Sequence, residues 1–301
     1  MIIHFINGNN TMTNIATLIA NGPVILDGGW GTQLQWLGLE VGSHPDLWNL
    51  TVPEKVEQVA RAYVAAGSQV ILTNTFGATK YTLEKHGYAG KVAEINCAGV
   101  EISKRATTGT QTKVFASMGP TGIMLMMGEV KPEELYEAFL EQAAAIAEAG
   151  ADAIVVETMS DPAEAAIAVK AAKSTGLPVA VSFVFDSGKN KDRTMMGTTP
   201  EQVVQRMTDA GADIIGSNCG QGIDGFIPIC RRMRAVTTLP IWMKANAGLP
   251  EIVDGVTLYR QSPELFAEKA RALVEAGANF IGGCCGTSPD FIRTLAGLFR
   301  G

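Results

Sequence analysis

Three cysteines next to glycines are the residues of this sequence best suited to chemistry. Cys284 and Cys285 are adjacent in the glycine-rich segment 282–286, and Cys219 follows an apolar run at 214–215. Neighbouring residues of a regular strand point to opposite faces, but glycines allow a bend where a strand ends, so the two side chains can converge. Three such thiolates would bind zinc and leave its fourth position vacant, which is typical of catalytic rather than structural sites.

The other cysteines and the histidines do not extend this cluster. Cys97 and Cys230 fall inside predicted helices, where a small buried residue is the expected role. The three histidines, His4, His44 and His86, are not paired at ligand spacing. This argues against a histidine-based metal site or a Ser-His-Asp arrangement.

Composition excludes several classes of partner. A net charge of −6 and a pI near 5.2 disfavour nucleic acid and anionic membranes. Five cysteines without short, even spacing do not form a disulfide framework, so we expect a reducing, cytoplasmic setting. The N-terminus lacks the features of a signal peptide, and no segment has the ~18 apolar residues of a membrane helix.

Eight short runs rich in Val and Ile alternate with alanine-rich helical patterns, such as the one that begins at Pro132. Several helical patterns end in Ala-Gly, where glycine is expected as a C-terminal cap. The eight runs lie at residues 24–26, 70–72, 114–116, 154–156, 179–183, 214–215, 241–243 and 280–281.

Continuous apolar strands that alternate with helices predict a parallel sheet covered on both faces. Eight units favour a closed (βα)8 TIM barrel; the alternative is an open, doubly wound sheet. No linker or change in composition divides the chain. We therefore expect one domain over residues 1–301, with residues 1–13 as a loose N-terminal extension.

Polar residues follow the predicted strands, where the active site of a barrel lies. Asp27 and Gly28 follow the first strand, Glu157 the fourth and Asn246 the seventh. A carboxylate directly after a buried strand is costly without a cation. For Asp27 and Glu157 this cation would be either a substrate ammonium or an internal Lys or Arg.

The sixth and eighth strands flank the seventh, so Cys219 can reach the cysteine pair across the rim of the barrel. The apolar loop at 123–127, with methionines at 124, 126 and 127, has two interpretations. It covers the mouth of the barrel, or it docks a partner protein.

With these motifs in place, the sequence resembles the homocysteine S-methyltransferase family from about Asp27 to Thr287. The family includes the homocysteine-binding module of cobalamin-dependent methionine synthase, betaine–homocysteine methyltransferases and S-methylmethionine-dependent enzymes. The segments TNTFGA at 73–78 and GPTG at 119–122 look most like the methionine synthase module.

The resemblance implies roles for individual residues. Cys219, Cys284 and Cys285 would bind one zinc ion and serve as the catalytic centre. Asp27, Gly28 and Glu157 would contact the amino-acid part of homocysteine, and Asn246 would fill the fourth zinc position when no thiol is bound.

One departure concerns the acceptor rather than the zinc site. Lys244-Ala245 stands where methionine synthase modules usually carry Glu-Pro. The chain also has no room for the folate, cobalamin and activation domains of a full-length methionine synthase.

The resemblance therefore implies a zinc-dependent enzyme that methylates homocysteine, or a related thiol, to give methionine. The expected donor is a methyl-corrinoid (methyl-cobalamin) carried on a separate protein. The alternatives are a small donor of the S-methylmethionine or betaine type and, more remotely, a non-catalytic binding barrel with structural zinc.

Overall fold

The computed structural model describes residues 15–253 and 256–300, and its centre is a sheet of eight parallel strands. All eight predicted strands are present. They are β1 (Val24–Ile25), β2 (Val70–Ile71), β3 (Lys113–Met118), β4 (Ala153–Met159), β5 (Val179–Phe183), β6 (Ile214–Gly222), β7 (Ile241–Asn246) and β8 (Phe280–Gly283).

The order of the strands is that of a (βα)8 barrel. Each strand from β2 to β7 pairs in parallel with the next strand along the chain, and β8 pairs with β1. The remaining seam is linked by a backbone hydrogen bond of 2.7 Å from Gln69 N to the Ile25 carbonyl. The closed barrel is confirmed, and the open sheet is excluded.

Large apolar side chains fill the interior of the barrel. Trp242 of β7 packs between Phe115 of β3 and Phe280 of β8, with ring centroids 6.1 and 5.5 Å away. Ile15 joins the same buried cluster. The barrel is therefore a packed core, and the space for a ligand lies at its ends.

Eleven helices lie from residue 30 onward within the described residues and surround the strands. They are α1 (Trp30–Trp36), α2 (Trp48–Thr51), α3 (Pro53–Ala65), α4 (Lys80–Glu84), α5 (Val92–Ala106), α6 (Pro132–Glu148), α7 (Pro162–Lys173), α8 (Pro200–Ala210), α9 (Ile223–Arg234), α10 (Pro263–Glu275) and α11 (Pro289–Arg300). Short 3-10 helices lie at Pro45–Leu47, Ala89–Lys91 and Leu125–Met127.

The helix ends follow the sequence signals. Proline occupies the first turn of α6 and α8, and the Thr199 side chain caps α8 by accepting a hydrogen bond from Gln202 N. The glycines expected as caps, Gly67, Gly150, Gly211 and Gly277, all have φ between +84° and +106°. This left-handed conformation ends each helix just before the next strand.

Two other features complete the described chain. An antiparallel pair, Glu251–Val253 with Val256–Leu258, is inserted between β7 and α10. None of the helices described is long and apolar enough to span a membrane. The extension expected at residues 1–13 lies outside the described residues.

Candidate functional site

The three predicted cysteines meet at one point. Their Sγ atoms all lie within 4.8 Å of one another, and those of Cys219 and Cys285 are 3.8 Å apart. A tetrahedral zinc ion with Zn–S bonds of ~2.3 Å places its sulfur ligands ~3.8 Å from each other. The donor set therefore fits zinc in type and spacing, and it would provide three of the four ligands.

The backbone turns sharply in the last residues of β6 and directs Cys219 toward the other two cysteines. Cys219 has φ +62°, which is uncommon for a residue other than glycine, and the pairing of β6 with β7 shifts register between Asn218 and Gly222. Such strain persists where neighbouring contacts hold it, and it is concentrated at functional sites.

Asn218 supplies some of those contacts. Its Oδ1 accepts hydrogen bonds from Thr158 N (2.8 Å) and Ser182 Oγ (2.6 Å), and its Nδ2 donates to Thr158 Oγ1 (2.7 Å). Thr158 also has φ +62°. Asn218 is fully buried, and its Nδ2 lies 4.0 Å from Cys284 Sγ, so it links the strained ends of β4 and β6 to the cysteine cluster.

The adjacent cysteines converge because the chain bends directly after β8. Cys284 N still donates to the Ala245 carbonyl of β7 (2.7 Å), whereas Cys285 N donates to Asn246 Oδ1 (3.1 Å). Thr287 closes the turn, because its Oγ1 donates to the Cys284 carbonyl (2.6 Å). The predicted bend at the end of a strand is thus confirmed.

Glycines allow this turn to pack against the loop after β1. A Cβ atom on Gly29 would lie 2.6 Å from the Cys284 carbonyl oxygen, and one on Gly28 would lie 2.8 Å from Thr287 Oγ1. Gly28 and Gly29 also line the cavity described below. The glycines after β1 therefore serve close packing. Their spacing does not match that of a dinucleotide-binding motif.

The three thiols interact strongly with one another. Hydrogen bonds from Cys284 and Cys285 lower the pKa of Cys219 to about 3, and the bond to Cys219 raises the pKa of Cys285 to about 11. The same contacts raise the pKa of Cys284. One thiolate is therefore favoured, and a bound cation would be required to ionise all three.

The cysteines open onto a cavity of about 570 Å³ at the carboxyl ends of the strands. Its wall also contains Glu157 of β4 and Lys244 of β7, together with Trp30 and Phe76. A larger cavity of about 690 Å³ lies at the opposite end of the barrel, but no cysteine lines it. The first cavity is therefore the candidate active site.

Asp27 is paired inside the protein. Its Oδ1 lies 2.5 Å from Lys244 Nζ, and its Oδ2 accepts hydrogen bonds of 2.6 Å from both Trp30 Nε1 and Leu72 N. Asp27 is fully buried and does not line the cavity. Of the two cations considered for Asp27, the structure thus contains the internal lysine.

Glu157 does face the cavity. Its Oε1 accepts a hydrogen bond of 2.5 Å from Ser117 Oγ. Burial raises the pKa of Glu157, although Lys244 partly opposes this change. Burial lowers the pKa of Lys244, but the charges of Asp27 and Glu157 more than offset this effect and raise it above its ordinary value.

Asn246 ends β7 beside the cysteines. Its Oδ1 is engaged by Cys285 N, and its side chain also interacts with Cys219. The structure therefore places Asn246 next to the cluster, while its role as a zinc ligand stays a prediction.

Sequence reasoning missed several residues of the site. Lys244 departs from the family pattern, and a lysine that follows three apolar strand residues requires a buried counter-ion. The side chain of Tyr259, which follows the inserted strand pair, interacts with Cys285. Neither Ser117 nor Tyr259 carries a local signal of this role.

His44, His86 and the other two cysteines are separate from the cluster, and His4 lies outside the described residues. His44 and His86 stack with ring centroids 4.7 Å apart. Both line the same cavity as the cysteines, and so does Asp46. Both cysteines lie in helices as predicted, Cys97 in α5 and Cys230 in α9. Cys230 is buried as expected, whereas Cys97 is only half-buried.

Exposed apolar side chains lie on the loops after β2, β3, β5 and β7, at the carboxyl ends of the strands. Among these residues, Phe76 lines the cavity. These exposed residues are Phe76, Met124, Met126, Met127, Met195, Met196 and Leu249. The predicted methionine loop is therefore exposed, and it belongs to a wider apolar rim (these seven residues) on the face that holds the cysteines.

Comparison with known proteins agrees with this geometry. The family model for homocysteine S-methyltransferase matches residues 24–299. Methionine synthases of Mycobacterium leprae and Mycobacterium tuberculosis are 30% and 28% identical to the chain over 94% of its length, but the chain spans only 25% of each. The homocysteine methyltransferase MmuM of Escherichia coli, in its metallated form, superposes with a TM-score of 0.77 at 23% identity, covering 95% of this chain and 99% of that one. Since the family model covers the whole barrel, the chain belongs to the homocysteine S-methyltransferase family.

Proposed function

We propose that this protein is a zinc-dependent methyltransferase that converts homocysteine to methionine. The observation that carries the proposal is one cavity lined by Cys219, Cys284 and Cys285 and also by the charged side chains of Glu157 and Lys244. A thiol acceptor with a charged amino-acid end has matching groups at both ends. The cysteines suit its sulfur, and the charged pair suits its polar end.

A zinc ion held by the three cysteines would accept the substrate sulfur at its open position and lower the pKa of that thiol, whose ordinary value is ~8.5. In the overall reaction a bond forms between this sulfur and the methyl carbon while the bond from that carbon to its donor breaks. The thiol proton passes to solvent.

The protein residues contribute orientation and exclusion of water. Glu157 and Lys244 hold the polar end of the acceptor at a fixed distance from the cysteines, so that proximity supplies part of the rate enhancement. Trp30 and Phe76 line the same cavity and shield the reacting sulfur from water. The three thiols must stay reduced, which is consistent with a cytoplasmic enzyme.

For the methyl donor we propose a methyl-corrinoid carried on a separate protein. The apolar rim supports this proposal, because exposed methionines on loops at the carboxyl ends of the strands would suit adaptable docking of a partner on the face that holds the cysteines. The similarity to methionine synthases points the same way.

A donor assay tests both parts of the proposal. Zinc-loaded protein is incubated with L-homocysteine and, in turn, methylcobalamin, S-methylmethionine or betaine, and methionine is measured by mass spectrometry. We expect methionine from methylcobalamin with the native protein and with Cys97→Ala, but not with Cys285→Ala. Turnover with S-methylmethionine or betaine alone would replace the corrinoid donor with a small one.

A titration distinguishes the enzyme from a barrel with structural zinc. In the latter, a protein group such as Asn246 or Tyr259 would hold the fourth position permanently. Homocysteine added to zinc-loaded protein should release about one proton per chain, because the thiol binds as a thiolate. Absence of proton release, together with absence of methionine from every donor, would contradict the proposed function.

A further inference from the structure

The wall of the candidate active-site cavity contains a buried cation of the protein, the ammonium group of Lys244. Lys244 lies in β7, opposite Asn218 of β6 and Gly282 of β8, and its side chain is 3% exposed. It nevertheless contributes to the cavity wall, whereas its partner Asp27 does not. A ligand in the cavity therefore meets the lysine and not the aspartate.

Asp27 has few acceptor positions left for a ligand. Three donors from Lys244, Trp30 and Leu72 surround its carboxylate at 2.5 to 2.6 Å. Two of them come from β7 and from the residue after β2, so Asp27 also ties these strands together at the seam of the barrel. Its position behind Lys244 makes it a positioning residue for the ammonium group.

Lys244 retains hydrogen-bonding capacity. An ammonium group has three N–H donors, and Asp27 is the only hydrogen-bond partner of Lys244 Nζ within residues 15–253 and 256–300. Glu157, on the same cavity wall, interacts electrostatically with Lys244 and accepts a hydrogen bond from Ser117. The cavity therefore presents a donor group and an acceptor group to the same ligand.

We propose that Lys244 binds the carboxylate of the acceptor and that Asp27 holds Lys244 in place, while Glu157 contacts the amino-acid part, as the family resemblance already implies. This inference rests on the proposed function and names the recognition groups of that site. An amino acid is a zwitterion, and each of its charges is costly to bury unless an opposite charge meets it. Lys244 then lies between two carboxylates, those of Asp27 and of the ligand, while Glu157 meets the ammonium group of the ligand.

The competing interpretation is that Lys244 only neutralises Asp27. In that case the carboxylate of the acceptor would contribute little to binding. The two interpretations differ in acceptor selectivity, which a purely structural lysine would not alter.

Three thiols separate the contributions of the acceptor's charges. L-homocysteine has both charged groups, 3-aminopropane-1-thiol lacks the carboxylate, and 4-mercaptobutanoate lacks the ammonium. Binding of each to zinc-loaded protein is measured by calorimetry, with metal content and thermal unfolding recorded for every variant. A charged hydrogen-bond pair contributes enough for the native protein to bind homocysteine ~10 to 100 times more tightly than 3-aminopropane-1-thiol.

The variant Lys244→Met should reduce this ratio to within about threefold of unity, while its affinity for 3-aminopropane-1-thiol changes little. Because the substitution leaves Asp27 buried without a partner, the double variant Asp27→Asn/Lys244→Met is measured as well, since it removes both charges. Lys173→Met is the matched control. Lys173 pairs with Asp213 at 2.8 Å, but at the start of the barrel strands, so its loss should leave the ratio unchanged.

Suppose that the native protein binds homocysteine and that the ratio of its affinities for homocysteine and 3-aminopropane-1-thiol is unchanged in the double variant. This result would overturn the role of Lys244 and leave the proposed function standing. If the native protein binds none of the three thiols, the proposed function fails and this inference fails with it.

Discussion

The Sγ atoms of Cys219 and Cys285 lie 3.8 Å apart, although 66 positions separate the two residues in the chain. This spacing matches two ligands of one tetrahedral zinc ion. We therefore expect the purified protein to contain about one zinc per chain. Cys219→Ala and Cys285→Ala should each lower zinc affinity by at least about tenfold, because two thiolates remain where three are needed. Metal content and competition with a chromophoric chelator measure this loss.

The control is Cys97→Ala. Cys97 is a free cysteine in α5, outside the cluster, so this variant should retain about one zinc per chain. Equal zinc affinity in Cys97→Ala and Cys285→Ala would show that the cluster does not hold the metal.

Local patterns were sufficient to predict the strands, their order and the position of the cysteines. Apolar runs mark the strands because both faces of a parallel sheet are buried. The carboxyl ends of the strands meet at one rim. The cysteine pair after β8 could therefore be expected near Cys219, at the end of β6.

Pairings across the barrel could not be predicted in this way. Lys244 and Asp27 are 217 positions apart. From the sequence alone, an internal cation and a ligand cation are equally able to compensate the carboxylate of Asp27. The contacts of Tyr259 and Asn218 depend on loop geometry and on strained backbone, which spacing does not encode.

A second prediction concerns Asn218, which is fully buried and holds Thr158 at φ +62°. Asn218→Ala leaves the Thr158 N–H and the Ser182 hydroxyl without their acceptor. We expect the free energy of unfolding of metal-free protein to fall by about 2–4 kcal/mol in urea denaturation, since each buried unpaired group costs about 1–3 kcal/mol. Zinc affinity should fall by about tenfold or more, because groups behind the ligands orient them.

The comparison for Asn218 is Ser182→Ala. It removes a single hydrogen bond to the same side chain, so the loss should be about 1 kcal/mol, with zinc affinity nearly intact. If both variants lose the same stability and the same zinc affinity, Asn218 does not link the two strand ends.

The turn after the cysteine pair provides a third prediction. Gly286 has φ +78°, and a Cβ atom there would lie 2.2 Å from Cγ of the Tyr259 ring. Gly286→Ala should therefore displace Tyr259 or the turn itself and weaken zinc binding. The loss of stability should exceed the roughly 1–2 kcal/mol that a left-handed conformation costs a non-glycine residue. Unfolding in urea and zinc competition measure the two effects.

Gly87 provides a matched control for Gly286. Its φ is +80°, but no atom lies within 4 Å of an added Cβ, so Gly87→Ala should show the backbone cost alone. The double variant Gly286→Ala/Tyr259→Ala removes the clash and should regain part of the lost zinc affinity. Identical losses in Gly286→Ala and Gly87→Ala would refute the steric explanation.

The fourth prediction concerns the pH dependence of the protein's stability, to which Asp46 in the wall of the cavity contributes. Asp46 is buried, and burial raises its pKa to about 7, while Gly77 N donates a hydrogen bond of 3.0 Å to its Oδ1. His44 Nε2 is 3.5 Å from the carboxylate, but burial and then His86 lower the pKa of His44, so this histidine supplies little positive charge near neutral pH.

A raised pKa means that the folded state holds a proton that the unfolded state has released. The contribution of Asp46 to stability is therefore fully present below its ordinary pKa near 3.8 and is lost as the pH rises through about 7. Relative to Asp46→Asn, the free energy of unfolding of the native protein should fall by roughly 2–3 kcal/mol between about pH 5 and pH 8.

Urea denaturation of both proteins across this range measures the difference, and Asp209→Asn, on the exposed face of α8, serves as the control. Asparagine retains an oxygen that can accept the Gly77 hydrogen bond, but it does not titrate. The plot of the free energy of unfolding against pH should therefore be flatter for Asp46→Asn than for the native protein. The plot for Asp209→Asn should follow that of the native protein. Parallel curves for native protein and Asp46→Asn would mean that Asp46 is ionised in the folded state throughout, and that a cation compensates it after all.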